Sequence, residues 1–115
     1  AENRLSGATA LAMDDGKIYI ADNGNARISV YDTKAQAFTN AFPVHLLGKY
    51  LSATEDSLLT ANDTGLEIYE NGVKKYEAQN LDGNIVGSAG VYGTYYLATN
   101  TNYFYALSKD YSGVG

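Results

Sequence analysis

Apolar and polar positions alternate along three short runs, which read as strands: Lys17 to Ala21 (KIYIA), Ser57 to Ala61 (SLLTA) and Thr94 to Ala98 (TYYLA). A polar cluster follows each, namely Asp22-Asn23-Gly24-Asn25, Asn62-Asp63-Thr64-Gly65 and Thr99-Asn100-Thr101-Asn102. A second alternating run comes next: Arg27 to Asp32, Leu66 to Glu70 and Tyr103 to Leu107. Two half-buried strands joined by turn-forming residues are a hairpin. A strand of small residues precedes each hairpin, at Ala10 to Met13, Leu51 to Thr54 and Ser88 to Tyr92, with turns at Asp14-Asp15-Gly16, Glu55-Asp56 and Gly93. A fourth strand follows in the first two units, Ala37 to Phe42 and Val73 to Ala78. The second of these comes after Asn71-Gly72, the dipeptide best suited to a hairpin turn with positive φ at both central residues. In the third unit only Ser108 to Gly115 remain, too short a tail to predict a fourth strand.

The spacing makes these hairpins a repeat. Ala21, Ala61 and Ala98 lie 40 and 37 residues apart, and Tyr31, Tyr69 and Leu107 lie 38 and 38 apart. A four-stranded antiparallel unit recurring at about 40 residues is the pattern of a β-propeller blade. The predicted fold is therefore all-β, with about three propeller-type blades over residues 7–43, 47–80 and 85–115 of a single domain. Composition agrees: 11 Tyr, ten Asn and 12 Gly with 18% charged residues favour short strands and many turns over helices.

Two stretches also resemble known repeats. Gly16 to Ile28, with its apolar strand, Ala21-Asp22, an Asn-containing turn and Arg27-Ile28, is similar to the NHL-type repeat. Gly93 to Ala98 with Tyr103 to Leu107 is closer to the PQQ-like (YVTN-like) repeat. The resemblance implies a propeller architecture and little about activity, because such repeats serve lactonases, dehydrogenases, sensors, adhesins and scaffolds. It also implies that Arg27 is a structural link between blades.

Propellers close with about four to eight blades. Three blades leave a half ring, and three readings follow: two copies closing a six-bladed ring about a twofold axis, a segment of a longer chain or larger assembly, or a different fold such as a two-sheet sandwich. The sandwich lacks a Cys pair or a Trp to recommend it. In the dimer, Ala1 to Ser6 would supply the outer strand missing from the partner's third blade.

Charge and residue content narrow the chemistry. The 13 Asp and Glu against 8 Lys and Arg give a net charge of −5, a field that repels nucleic-acid phosphates and anionic membrane surfaces. No apolar run reaches the roughly 18 residues of a membrane-spanning helix, and Ala1-Glu2-Asn3-Arg4 does not read as a signal peptide. The absence of Cys excludes disulfides, thiolate zinc sites and thiol nucleophiles. His45 is the single histidine, so one chain cannot assemble a multi-histidine metal site or, on any other histidine, a triad. Low charge with abundant Asn, Thr, Gly and Tyr suits a bacterial protein of the cell envelope or the extracellular space.

The turns between second and third strands hold the candidate ligand-binding residues: Asp22, Asn23, Asn25, Arg27, Asn62, Asp63, Asn100 and Asn102. In a propeller these turns share the face where blades are connected. Their amides and carboxylates would suit a sugar, a peptide or a hard cation such as Ca²⁺. The same residue types are also the ordinary choice for turns. No cofactor is expected otherwise, and no catalytic residue is assigned. Tyr92, Tyr95, Tyr96, Tyr103, Tyr105 and Tyr111 offer rings for carbohydrate stacking or protein binding, with about half expected between blades. The function expected is a non-catalytic binding or assembly module engaging protein, glycan or a second copy of itself. The alternatives are a structural fragment of a larger secreted propeller and a metal-dependent lactonase-like enzyme. The enzyme needs acidic residues in the channel, whereas the five glutamates are expected in tails, turns and outer strands.

Overall fold

The computed structural model describes residues 5–45, 48–55, 57–79 and 82–108. Eleven strands are described, in three antiparallel sheets. The first sheet runs β1 (Ala8–Asp14), β2 (Lys17–Asp22), β3 (Arg27–Asp32), β4 (Ala37–Pro43). The second runs β5 (Tyr50–Thr54), β6 (Ser57–Ala61), β7 (Gly65–Glu70), β8 (Val73–Gln79). The third has β9 (Ile85–Val91), β10 (Thr94–Thr99) and β11 (Phe104–Ser108). Strand order within each sheet follows chain order, the up-and-down meander of a propeller blade. The tail beyond Ser108, with Tyr111, and residues Ala1 to Arg4 of the anticipated donor strand lie outside the described residues.

Turn chemistry sets the hairpins. Asp15-Gly16, Asn71-Gly72 and Tyr92-Gly93 each place two successive residues at positive φ, the twist that matches right-handed strands. Asn71 and Gly72, at φ 51° and 81°, are the expected pair. Tyr92, at φ 49°, is not: the sequence pattern places it in a strand, whereas it forms the turn and is 93% exposed. Gly93 takes the second positive-φ position without steric cost, and the first falls to whatever residue precedes it.

Register assigns every strand residue to one of two faces. One face of each sheet, here called leading, points toward the next sheet in the chain, and the opposite face is called trailing. The leading face of the first sheet (Ala21, Ile28, Val30, Phe42) packs on the trailing face of the second (Leu51, Leu58, Tyr69). The leading face of the second (Leu59, Ala61, Leu66, Ile68) packs on the trailing face of the third (Ile85, Tyr95, Leu97, Leu107). The hydrophobic core is thus two seams between sheets, and the middle sheet is covered on both sides. All five residues of β6 are buried accordingly.

The innermost strands β1, β5 and β9 lie side by side, where small residues let backbones approach. A Cβ added at Gly90 would stand 2.7 Å from the Ala53 carbonyl oxygen, so no larger residue fits there without movement. Hydrogen bonds cross the second seam from positions one period apart: Ser52 Oγ to Ser88 Oγ at 2.6 Å, and Ser57 Oγ to the Tyr95 hydroxyl at 2.6 Å.

Candidate functional site

The β2–β3, β6–β7 and β10–β11 turns lie at one end of the sheets, with the two connections between sheets. The connection after β4 is tied to the first turn by Val44 N donating to Ala26 O (3.1 Å) and to the second sheet by Lys49 N donating to Ala61 O (2.7 Å). The connection before β9 is tied likewise: Ile85 N donates to Asp63 O at 2.9 Å, and Asn84 N donates to Asn100 Oδ1 at 2.9 Å. This end is therefore a hydrogen-bonded rim running across all three sheets.

The eight candidate residues sit on that rim with distinct tasks. Asp22 is fully buried and accepts from Ser6 N (2.7 Å), Asn25 Nδ2 (2.9 Å) and Arg27 Nε (2.9 Å). Burial opposes its ionisation, but the hydrogen bonds from Asn25, Ser6 and Arg27 and the Arg27 charge outweigh it and hold the carboxyl below the usual range. Arg27 thus closes a network within the first sheet. Asn23 reaches to the next unit: its Nδ2 donates to Gly48 O at 2.9 Å and to Thr9 Oγ1 at 2.7 Å. Its Oδ1 is buried without a hydrogen-bond partner. Asn62 Oδ1 accepts from the backbone N–H groups of Thr64 and Gly65, the usual turn role of Asn. Asp63 pairs with Lys49 Nζ at 3.0 Å on the surface, raising the lysine above its ordinary value. Asn100 bonds Asn84 in both directions along the backbone and side chain. Asn102 takes φ 70° in its turn and donates its N–H to Thr99 O.

These residues therefore hold blades and turns in place, and seven of them (Asp22, Asn23, Asn25, Arg27, Asn62, Asp63, Asn100) use their side chains on the protein's own backbone or side chains. Among the described residues, no group of three or more His, Asp or Glu side chains stands where it could hold a metal ion.

One buried acid was not anticipated. Glu67, expected on an outer position, is 4% exposed on the trailing face of β7. It accepts from the Tyr69 hydroxyl at 2.8 Å, with Lys74 Nζ at 3.5 Å and His45 Nδ1 at 3.8 Å. Burial, then the bond to Glu67, pushes the Tyr69 phenol well above its ordinary range. The alternation Leu66-Glu67-Ile68-Tyr69 hides this, because it resembles a strand with one wet face although both faces of β7 are covered. His45 itself is exposed, as a loop histidine.

The two outer faces of the arc are different in kind. Leu11 corresponds in register to Leu51, since Leu11 pairs with Ile20 and Leu51 with Thr60, one place before the repeated alanine. Leu51 is 8% exposed and Leu11 65%, with Met13 beside it at 71%. On the same trailing face of the first sheet, Ile20 and Ser29 are already buried, so the uncovered part is the inner strand. The leading face of the third sheet carries Phe104 at 65% exposure, stacked on Tyr96 with centroids 5.7 Å apart. Of the tyrosines expected to form a binding surface, Tyr95 is buried in the second seam, while Tyr92 and Tyr103 are exposed.

Comparison with known proteins supports the architecture. A family model for the NHL repeat matches residues 5–31, which span β1 to β3. No curated protein matches the sequence. Hydrazine synthase of Kuenenia stuttgartiensis superposes with a TM-score of 0.78 at 15% identity, over 100% of this chain and 36% of its own. The WD40 repeats of RRP9 give 0.76 at 12% identity, over 94% and 37%. BamB of Moraxella catarrhalis gives 0.68 at 12% identity, over 91% and 32%. The chain spans about a third of the length of these structures. The likeness is one of fold: the chain is a β-propeller repeat protein, an open arc of three blades whose first is similar to the NHL repeat.

Proposed function

We propose that the chain is a non-catalytic binding and assembly module that associates through the two end faces of its arc and presents its rim to protein or glycan. The observation that carries this reading is the pair of end faces. Leu11 stands at the place of the buried Leu51 and Phe104 at the place of the buried Leu66, yet Leu11 and Phe104, with Met13 beside Leu11, stand in solvent. Apolar surface with an internal seam's side-chain pattern is stabilised by a covering sheet, at about 25 cal/mol per Å² of apolar area removed from water. A binding role rather than catalysis fits the rim, whose polar groups are largely engaged in holding turns and blades.

Sedimentation velocity over a concentration series tests the reading. Association that rises with concentration and is abolished by Leu11→Asp or Phe104→Asp, with the far-UV spectrum unchanged, is the expected result. A chain that sediments as a folded monomer throughout would contradict it.

A further inference from the structure

We propose that the seam between the first and second sheets holds a binding site for a small neutral amide, the acetamido group of an acetylated sugar or of an acetylated amine, at the end of the sheets opposite the rim. The site is formed by the first two sheets alone and is separate from the end faces of the arc.

A cavity of about 90 Å³ lies there, between the start of β2 and the Asn71-Gly72 turn. It exists because the two seams differ. Counted from the repeated alanine, Lys17 corresponds to Ser57 and Leu58 to Tyr95, and strand pairing makes Asn40 correspond to Tyr76. In the second seam the Tyr95 hydroxyl reaches Ser57 Oγ at 2.6 Å, and Tyr76 packs on the same cluster. The first seam has Leu58 and Asn40 at those places, so two rings are missing. Phe42, where the second seam has Ala78, and Tyr69, where it has Leu107, restore part of that volume. The Tyr69 ring cannot swing into the remainder, because its hydroxyl is held on Glu67 at 2.8 Å. Lys17 and Leu58 both line the space that is left.

The lining selects the occupant. Val30, Leu58 and Tyr69 are buried and form the floor, whereas Thr39, Asn40 and Asn71 are exposed and form the mouth. A ligand therefore enters with its apolar end first and keeps its polar atoms at the mouth. At about 30 Å³ per water the space equals roughly three waters, which suits a group of about four bonded heavy atoms and not a whole pyranose or phenyl ring. An acetamido group meets both conditions, with its methyl on the floor and its amide at the mouth. Asparagine side chains carry the donor and the acceptor that an amide needs. Asn40 Oδ1 accepts from Ala41 N at 2.9 Å, which leaves its Nδ2 to donate to a ligand carbonyl.

Charge separates the amide from ions of similar size. Lys17 lines the cavity and repels a cation. Asp14 and Asp32 pair with Lys17 from β1 and β3 on the same face, so no net positive charge remains to attract a carboxylate. A neutral group is the one that neither sign opposes.

The test is titration of the ¹⁵N-labelled 115-residue chain with acetamide, followed by ¹H–¹⁵N NMR. Saturable shifts centred on Lys17, Asn40, Asn71 and Gly72 are expected, in the millimolar range for so small a ligand. Acetate and trimethylammonium, similar in size but charged, should give none. Leu58→Tyr and Asn40→Tyr each restore a ring present in the second seam and should abolish the shifts. Asn40 is exposed on an outer strand, so its variant keeps the test valid where Leu58→Tyr overpacks the seam. Methyl N-acetylglucosaminide and Nε-acetyl-lysine separate the two sources: the compound that binds more tightly than acetamide names the source, and equal gains leave the acetamido group itself as the recognised unit. Shifts that do not saturate, that acetate reproduces, or that persist in Asn40→Tyr would overturn the site. Binding of acetamide but of neither larger compound would overturn the ligand class.

Discussion

Leu66 and Phe104 occupy the same place in successive sheets, each opposite the repeated alanine (Ala61 and Ala98), yet Leu66 is 2% exposed and Phe104 65%. The difference lies in the neighbour: the third sheet covers Leu66, whereas among the described residues no further sheet covers Phe104, which stacks only on Tyr96 of its own sheet. Leu66→Ala is expected to destabilise each chain by about 2–5 kcal/mol, the cost of a core cavity. Phe104→Ala in the dilute monomer should stay within about 0.5 kcal/mol, as for surface substitutions, while weakening association. Urea unfolding at low and high protein concentration separates the two effects.

Gly90 and Gly87 make a second contrast, within one strand. Gly90→Ala forces a Cβ to 2.7 Å from the Ala53 carbonyl and should cost about 1–3 kcal/mol through overpacking. Gly87→Ala has open space in the single chain and should fold normally. Thermal melts of the two variants in dilute solution give the comparison. Equal destabilisation would show that β9 packs differently on its two sides from the arrangement described.

Much of this was legible in the sequence. The repeated alanines and the Asn71-Gly72 turn locate hairpins because strand alternation and positive-φ turns are local properties. The strand ends shift by only a few residues: β1 begins at Ala8 and β9 at Ile85, where small and polar residues give no periodic signal. What failed were the features decided by neighbouring sheets. Glu67 and Asp22 are buried because a second sheet and a turn close over them, which single-strand patterning does not reveal. Tyr92 sits in a turn because Gly93 sets its place, against the preference of its own side chain for strands. That the three turns share one end of the sheets follows from strand alternation, while the engagement of Asn23, Asn100 and Asp22 with Gly48, Asn84 and Ser6 depends on connections that carry no motif.

The Asp22 network predicts a response to acid. Its carboxyl titrates below the ordinary value in the folded chain, so the stability it adds is fully present above about pH 4. That contribution is lost as pH falls through the depressed folded value. Asp22→Asn should cost about 1.5–3 kcal/mol at neutral pH, typical of a hydrogen bond to a charged group, and flatten the acid limb of the stability profile. Denaturation midpoints between neutral pH and the acid transition report both.

Across the second seam, Tyr95→Phe removes the 2.6 Å bond to Ser57 and keeps the ring. Ser57 retains its bond to Thr54 O at 3.0 Å, so the loss should be about 0.5–1.5 kcal/mol. A chemical-denaturation midpoint lowered with the slope unchanged would confirm a local loss.

On the assembly reading proposed above, the end faces of the arc associate with a second copy. Native mass spectrometry of the 115-residue chain at micromolar concentration tests it most directly. A dominant species at twice the 12.3 kDa of one chain, lost in Leu11→Asp, is the expected result. A folded species at 12.3 kDa alone would contradict it.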